Sequence, residues 1–314
     1  MINRRDLAKG LGMIGALAAG PAIARPRPAT PVPPVALPTP PAGPWSGFGQ
    51  IRRGGGVLHY ATLGTDTSRP PVVVLHKLGG WLSDWRHVAP ALADGRRVIA
   101  FDLPGHGGSR MDGAPPYIHT LAETAAMLVG ALDEMALAKI DLLGTSLGGC
   151  VGVVMAAQHP DRVRRLAVIS SALGGRKTLA EVRAAVEEKL KPIFDAQGMP
   201  LPTPPELLVN TFGMVHPDAI NPEGIASRRA AGLWLQPSER GVGVTDLRAA
   251  LRRVECPTLL VYGQFDKAYP RFRPFAEAAL RDARTEVVPN SGAFVIQDNP
   301  EATAPILKAF VEGA

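Results

Sequence analysis

LLGTSLGGCVG, residues 142–152, opens as a continuous apolar run and closes as a helical pattern, so Gly144-Thr145-Ser146-Leu147-Gly148 falls where a strand turns into a helix. A serine at the centre of such a turn sits on a strained backbone. Small residues two positions to either side are needed for strand and helix to approach each other. A bare G-x-S-x-G also arises by chance, as a glycine-rich turn with an incidental serine. Between a buried strand and a helix, at mid-chain, it reads as a nucleophile raised on a sharp elbow.

Outward from this turn the chain alternates. Short apolar runs, PPVVVLH, RRVIAFD, KIDLLG, RRLAVIS, PTLLVYG and RTEVVP, are separated by helical patterns such as LSDWRHVAPALAD, HTLAETAAMLVGALDEM and RFRPFAEAALRDA. Continuous apolar strands between amphipathic helices predict an α/β fold, a mostly parallel sheet flanked by helices. Two β-rich stretches precede it in FGQIRRGGGVLHYATLG, where Gly54, Gly55 and Gly56 read as a hairpin turn. From 173 to 253 the sequence is helical and proline-rich without a strand pattern, which predicts a helical cap inserted into a core formed by 45–172 and 254–314. A cap so placed overhangs the ends of the strands, where α/β sheets hold their ligands.

The first 24 residues read as an export signal: adjacent Arg4 and Arg5, the apolar run LGMIGALAAG and a small-residue AIA end. The paired arginines resemble a twin-arginine signal, which implies bacterial export to the periplasm; an ordinary secretory signal or an uncleaved anchor is the competing reading. Residues 25–44 contain nine prolines and predict an extended spacer. Of the formal charge of +6, a net +2 lies in the signal (Arg4, Arg5 and Lys9 against Asp6), leaving +4. That is mild, with no basic block and 5% aromatics, and it argues against a nucleic-acid partner. No stretch after Ala24 is long enough for a stable membrane span. Cys150 and Cys256 sit in apolar surroundings and read as free thiols, although an oxidising compartment would permit a bridge. No metal cluster, dinucleotide fingerprint or phosphate loop is present, so no cofactor and no metal are expected.

With these motifs the chain resembles the α/β-hydrolase family, from about Phe48 to its end. VVVLHKLGG (72–80) is similar to the family's histidine-glycine loop, FDLPGHGGS (101–109) to its D-x-P-G-x-G-x-S turn, and CPTLLVYGQFDKAYP (256–270) to the strand that ends in the triad acid. The resemblance implies Ser146 as nucleophile, the amides of Leu78 and Leu147 as oxyanion hole and Asp266 as the acid that orients a base. Serine at the elbow favours acyl transfer over the branches that attack with a carboxylate.

Two positions depart from the pattern. NSGAFVIQDNPE (290–301) matches the family's G-H-F motif except that Ala293 stands where the histidine belongs. A serine hydroxyl is a poor nucleophile without a neighbouring base, and loss of that histidine in a serine protease costs roughly a millionfold in turnover. Lys77 stands where the histidine-glycine loop usually has glycine and is a candidate substitute base, against the plain reading of a solvated or salt-bridged lysine. Among the histidines, His216 in the cap is the other candidate; His76 and His106 read as structural and His59, His87, His119 and His159 as peripheral.

The expectation is a serine hydrolase of a small or medium ester, thioester or lactone, impaired by Ala293. Its partner would be a small, apolar molecule, with Phe194, Phe212, Met214, Leu233 and Trp234 as candidate pocket or cap-core residues. The alternatives are a non-catalytic ligand-binding protein and a lyase, isomerase or cyclase that uses the oxyanion hole without an acyl-enzyme.

Overall fold

The structure, a computed structural model, describes residues 42–65, 69–190 and 193–313. The expected export signal (1–24) and all but the end of the expected spacer (25–44) lie outside the described residues.

Glycine opens the sheet. Gly54 and Gly55 take φ values of 55° and 78°, a conformation a β-carbon disfavours, and fold β1 (Gly47–Arg53) back on β2 (Gly56–Leu63) with Arg53 opposite Gly56. Then follow β3 (Val72–Leu75), α1 (Ala89–Leu92), β4 (Val98–Phe101), the short β5 (Arg110–Met111), α2 (Leu121–Glu134), β6 (Ile140–Thr145), α3 (Leu147–Gln158) and β7 (Val163–Ile169). Five helices intervene before the next strand: α4 (Leu179–Leu190), α5 (Pro205–Phe212), α6 (Pro217–Ala231), α7 (Leu235–Val244) and α8 (Leu247–Leu251). The chain closes with β8 (Thr258–Gly263), α9 (Arg273–Ala279), β9 (Ala283–Val288), α10 (Val295–Asp298) and α11 (Pro300–Glu312).

The strands form one sheet in the order β1-β2-β4-β3-β6-β7-β8-β9, with β5 beside β2; pairing is parallel from β4 to β9 and antiparallel among β1, β2, β4 and β5. The central strands are buried on both sides, which is why they read as unbroken apolar runs. Their period of two survives in three dimensions. Val73, Leu75, Ile99, Phe101, Leu142, Leu166 and Val168 pack toward α2, α3 and α8, whereas Val72, Val74, Val98, Ala100, Leu143, Ala167 and Ile169 pack with Trp85, Leu92, Leu307 and Phe310. Helix α3, enclosed on every side, has no polar face: Leu147 to Ala157 are all buried. Cys150 and Cys256 are free thiols, and among the described residues no helix is long and apolar enough to cross a membrane.

Two segments differ from the sequence pattern. LSDWRHVAPALAD is not one helix but a 3-10 turn over Leu82–Trp85 and the four-residue α1, because Pro90 has no amide for a continuous helix and the site loop anchors Asp84. Helix α7, LQPSERGVGV, was hidden by its glycines. Gly241 has a tertiary reason, since a β-carbon there would stand 2.0 Å from the His119 carbonyl oxygen. The helices between β7 and β8 are fastened to the sheet domain by Glu223 of α6, which accepts hydrogen bonds from Trp81 Nε1 at 2.7 Å and Arg86 at 2.8 Å.

Candidate active site

Ser146 stands between β6 and α3 with φ 51° and ψ −110°, where few residues other than glycine rest without strain. The surrounding glycines are explained atom by atom. A β-carbon on Gly144 would lie 2.3 Å from the Gly148 carbonyl, and one on Gly148 would lie 2.5 Å from the Leu75 carbonyl oxygen of β3. The Ser146 amide donates to Ile169 O at 2.8 Å, which pins the elbow to β7. The amides of Leu147 and Leu78 make no hydrogen bond among the described residues, and Leu147 opens α3, whose dipole places positive potential there.

The loop that carries Leu78 is held by His76. The Leu103 amide donates to His76 Nε2 at 2.9 Å, so the ring proton is on Nδ1, which donates to Lys77 O at 2.6 Å. Burial pushes the His76 imidazole down to about 4 and that of His106, whose ring lies 5.3 Å away, to about 3. Both are neutral in the folded chain. Each contributes stability that is complete above the ordinary imidazole value of 6.5 and is lost as the pH falls toward about 4 for His76 and about 3 for His106. The check is an imidazole nitrogen NMR titration, in which these two rings are expected to stay neutral at pH 5; protonation of either above pH 6 would contradict the assignment.

Lys77 has 7% of its surface exposed, and its Nζ lies 2.8 Å from Asp84 Oδ2 and 5.3 Å from the centroid of Phe294. Burial raises the Asp84 carboxyl and the lysine opposes that rise, so the two form a buried pair in which removing one partner strands the other. An ammonium that donates to a carboxylate has no lone pair with which to take the serine proton. His216 is no better placed. Its Nδ1 lies 3.1 Å from Asp298 O, its side chain is 58% exposed, and it does not line the cavity above Ser146.

Asp266 follows β8 and accepts three hydrogen bonds, from Ser170 Oγ at 2.8 Å on Oδ2 and from the amides of Ala268 at 2.9 Å and Tyr269 at 3.1 Å on Oδ1. Burial nonetheless holds its carboxyl above the usual range. Ala293 is completely buried, and its amide donates to Phe212 O at 2.9 Å. The end of α5 is thus docked on the loop that carries Ala293. A β-carbon on Gly292 would meet the Gly213 carbonyl carbon at 2.5 Å, and Gly213 itself turns with φ 68°.

The side chain that does reach Ser146 is one the sequence did not single out. Tyr269 Oη lies 3.4 Å from Ser146 Oγ, and the Tyr269 ring stacks with Phe212, 6.3 Å between centroids. Burial raises the phenol above its ordinary value, with Ser146 opposing, so Tyr269 stays protonated and is no base at neutral pH. Its only sequence signal was its place three residues after Asp266 in GQFDKAYP.

Ser146, Lys77, Leu78, Leu147 and Tyr269 line one cavity of about 600 Å³, roofed by the helices between β7 and β8. Phe194 and Phe212 belong to its wall. The other three aromatic and apolar candidates do not: Met214 packs with Leu208 and Ile220, Leu233 is largely exposed, and the Trp234 ring covers Gly105.

Comparison with known proteins gives a consistent set of similarities. A family model described as alpha/beta hydrolase fold matches residues 70–198. The chain is 30% identical over 217 residues to a 2-hydroxymuconate semialdehyde hydrolase of Pseudomonas sp. (strain CF600), covering 64% of this chain and 71% of that one. It is 27% identical over 262 residues to a pimeloyl-[acyl-carrier protein] methyl ester esterase of Neisseria meningitidis serogroup B (strain H44/76), 77% of this chain and 93% of the relative. A further similarity, 40% over 144 residues, is to the dihydrolipoyllysine-residue acetyltransferase component of an acetoin cleaving system from Pseudomonas putida; it covers 44% of this chain and spans only 38% of that protein's length.

Proposed function

The chain belongs to the α/β-hydrolase fold family, and from that premise we propose that it hydrolyses a small or medium carboxylic ester, thioester or lactone at Ser146, at a rate held down by the missing base at position 293. The observation that carries this reading is the strained elbow that presents Ser146 to a cavity of about 600 Å³ beside the unengaged amides of Leu78 and Leu147. Two unengaged amides from residues lining one cavity can stabilise a carbonyl oxygen that becomes negative as the acyl carbon turns tetrahedral. The similarity to a methyl ester esterase supports the same substrate class.

The serine oxygen adds to the acyl carbon, the carbonyl oxygen takes the charge in the amide pair, and collapse expels the alcohol or thiol; water then releases the acid. Without an imidazole the serine proton passes to water or to the departing group, so the first step is slow. Positioning and the oxyanion site alone sustain roughly a thousandfold or more over water. Tyr269, protonated and 3.4 Å from Ser146 Oγ, can supply a proton to the leaving oxygen but cannot remove one from the serine.

That same phenol favours a second reading. A hydroxyl pair facing an oxyanion site can polarise a carbonyl for a lyase or isomerase without an acyl-enzyme. Ser146→Ala separates the two, with p-nitrophenyl butanoate turnover and a fluorophosphonate probe as readouts. Hydrolysis is expected to fall to background in the variant, and slow labelling of the unaltered chain to map to Ser146. Undiminished hydrolysis in the variant would overturn the acyl-enzyme reading.

A further inference from the structure

The charges around the cavity are lopsided. Among its lining residues four are cationic, Lys77, Arg228, Lys267 and Arg271, and one is acidic, Glu239. Three of the cations are accounted for. Lys77 is paired with Asp84 at 2.8 Å, Lys267 Nζ donates to Val209 O at 3.2 Å, and the Arg271 guanidinium lies over the Phe272 ring at 4.9 Å. Arg228 of α6 is different: its Nε is buried without a hydrogen-bond partner, and its guanidinium forms no ion pair among the described residues. Its guanidinium carbon lies 6.0 Å from the centroid of the Phe194 ring.

We propose that the cavity takes an acyl substrate bearing a free carboxylate, and that the Arg228 guanidinium holds that carboxylate while the ester lies over Ser146. This rests on the hydrolase reading of Ser146 and adds to it the class of substrate. The position suits the task. The Arg228 stem lies along the loop that carries the Leu78 amide, so closely that a β-carbon on Gly79 would stand 2.7 Å from its Cγ. The cation is therefore brought from the cap into the same cavity as the elbow, among the apolar walls of Ile193, Phe194 and Leu235.

A planar guanidinium matches a carboxylate with two parallel hydrogen bonds, and a poorly solvated wall strengthens them. Burial draws the Arg228 charge down in favour, and only the field of Glu239, which is itself engaged, offsets this. A ligand carboxylate would supply the direct hydrogen-bonded partner that Arg228 Nε lacks among the described residues. A volume of about 600 Å³ holds an ester and a separate anionic end together. The surplus of cations among the lining residues also draws anions inward.

Calorimetric titration with monomethyl hexanedioate, which has one carboxylate and one ester, and with its neutral dimethyl ester provides the test. The monoacid is expected to bind the intact chain at least about tenfold more tightly. Arg228→Met, which keeps the packed stem, should weaken the monoacid about ten- to a hundredfold and change the diester by less than about twofold, with Arg228→Lys in between. Equal binding of both ligands to the intact chain, or a monoacid affinity indifferent to Arg228→Met, overturns the carboxylate site and leaves the hydrolase reading standing. Binding of neither ligand overturns both. If Arg228→Met does not fold, the comparison of the two ligands on the intact chain still decides.

Discussion

A histidine introduced at position 293 is expected to raise ester turnover by about a hundred- to ten-thousandfold, the usual worth of a positioned general base. Asp266 uses three of its roughly four acceptor sites on Ser170 Oγ and the amides of Ala268 and Tyr269, which leaves capacity on Oδ2 for an imidazole N–H. The backbone at 293 is fixed by its hydrogen bond to Phe212 O, so the new side chain starts from a defined Cα. The obstacle is Tyr269, whose hydroxyl stands 3.4 Å from Ser146 Oγ. Its phenol must yield for an imidazole to reach the serine, so Ala293→His with Tyr269→Phe should gain at least as much as Ala293→His alone. Adding Asp266→Asn should erase most of the gain, because the base then loses its orienting acceptor. Steady-state kinetics with p-nitrophenyl butanoate, beside melting curves of each variant, decide the matter. A well-folded Ala293→His chain no faster than its parent would mean that 293 is not the position of the base.

What the sequence revealed and what it concealed divide along a physical line. The elbow was legible because its requirement is local: five consecutive residues state which backbones must pass close together. Asp266 was singled out only through the family resemblance of GQFDKAYP, since an aspartate after a strand is by itself a common solvated loop residue. Tyr269 and Arg228 were not, because nothing in their neighbours along the chain says what they face. Tyr269 reaches Ser146 across 123 positions, and Arg228 rests on Gly79 only after the helices between β7 and β8 have packed. Lys77 is an intermediate case. Its partner, Asp84, is seven residues away, yet the pair forms only because the intervening Gly79 and Gly80 fold the loop back on itself. His216, plausible on the sequence, is taken instead by Asp298, which also accepts the amides of Val215, His216 and Gly292.

If the elbow is as tight as its contacts indicate, glycine there cannot be exchanged for even one methyl group. Gly148→Ala is expected to destabilise the chain by about 3 kcal/mol or more, the upper range for overpacking, because the atoms in the way are backbone of β3 that cannot swing aside. Gly144→Ala should cost as much, since its β-carbon would meet α3 backbone at 2.3 Å. Against a total stability of about 5–15 kcal/mol, either variant would be partly unfolded at moderate urea. Gly224 in α6 is the control. Nothing lies within 4 Å of a β-carbon there, and alanine should stabilise the helix by up to about 1 kcal/mol. The serine supplies the complementary measurement: at φ 51° it carries strain that glycine does not, so Ser146→Gly should be about 1 kcal/mol more stable than Ser146→Ala. Urea unfolding of the five variants yields these numbers. Equal tolerance of alanine at 144, 148 and 224 would show that strand and helix are not pressed together at Ser146, and the hydroxyl would then lack the rigid support that attack on an acyl carbon requires.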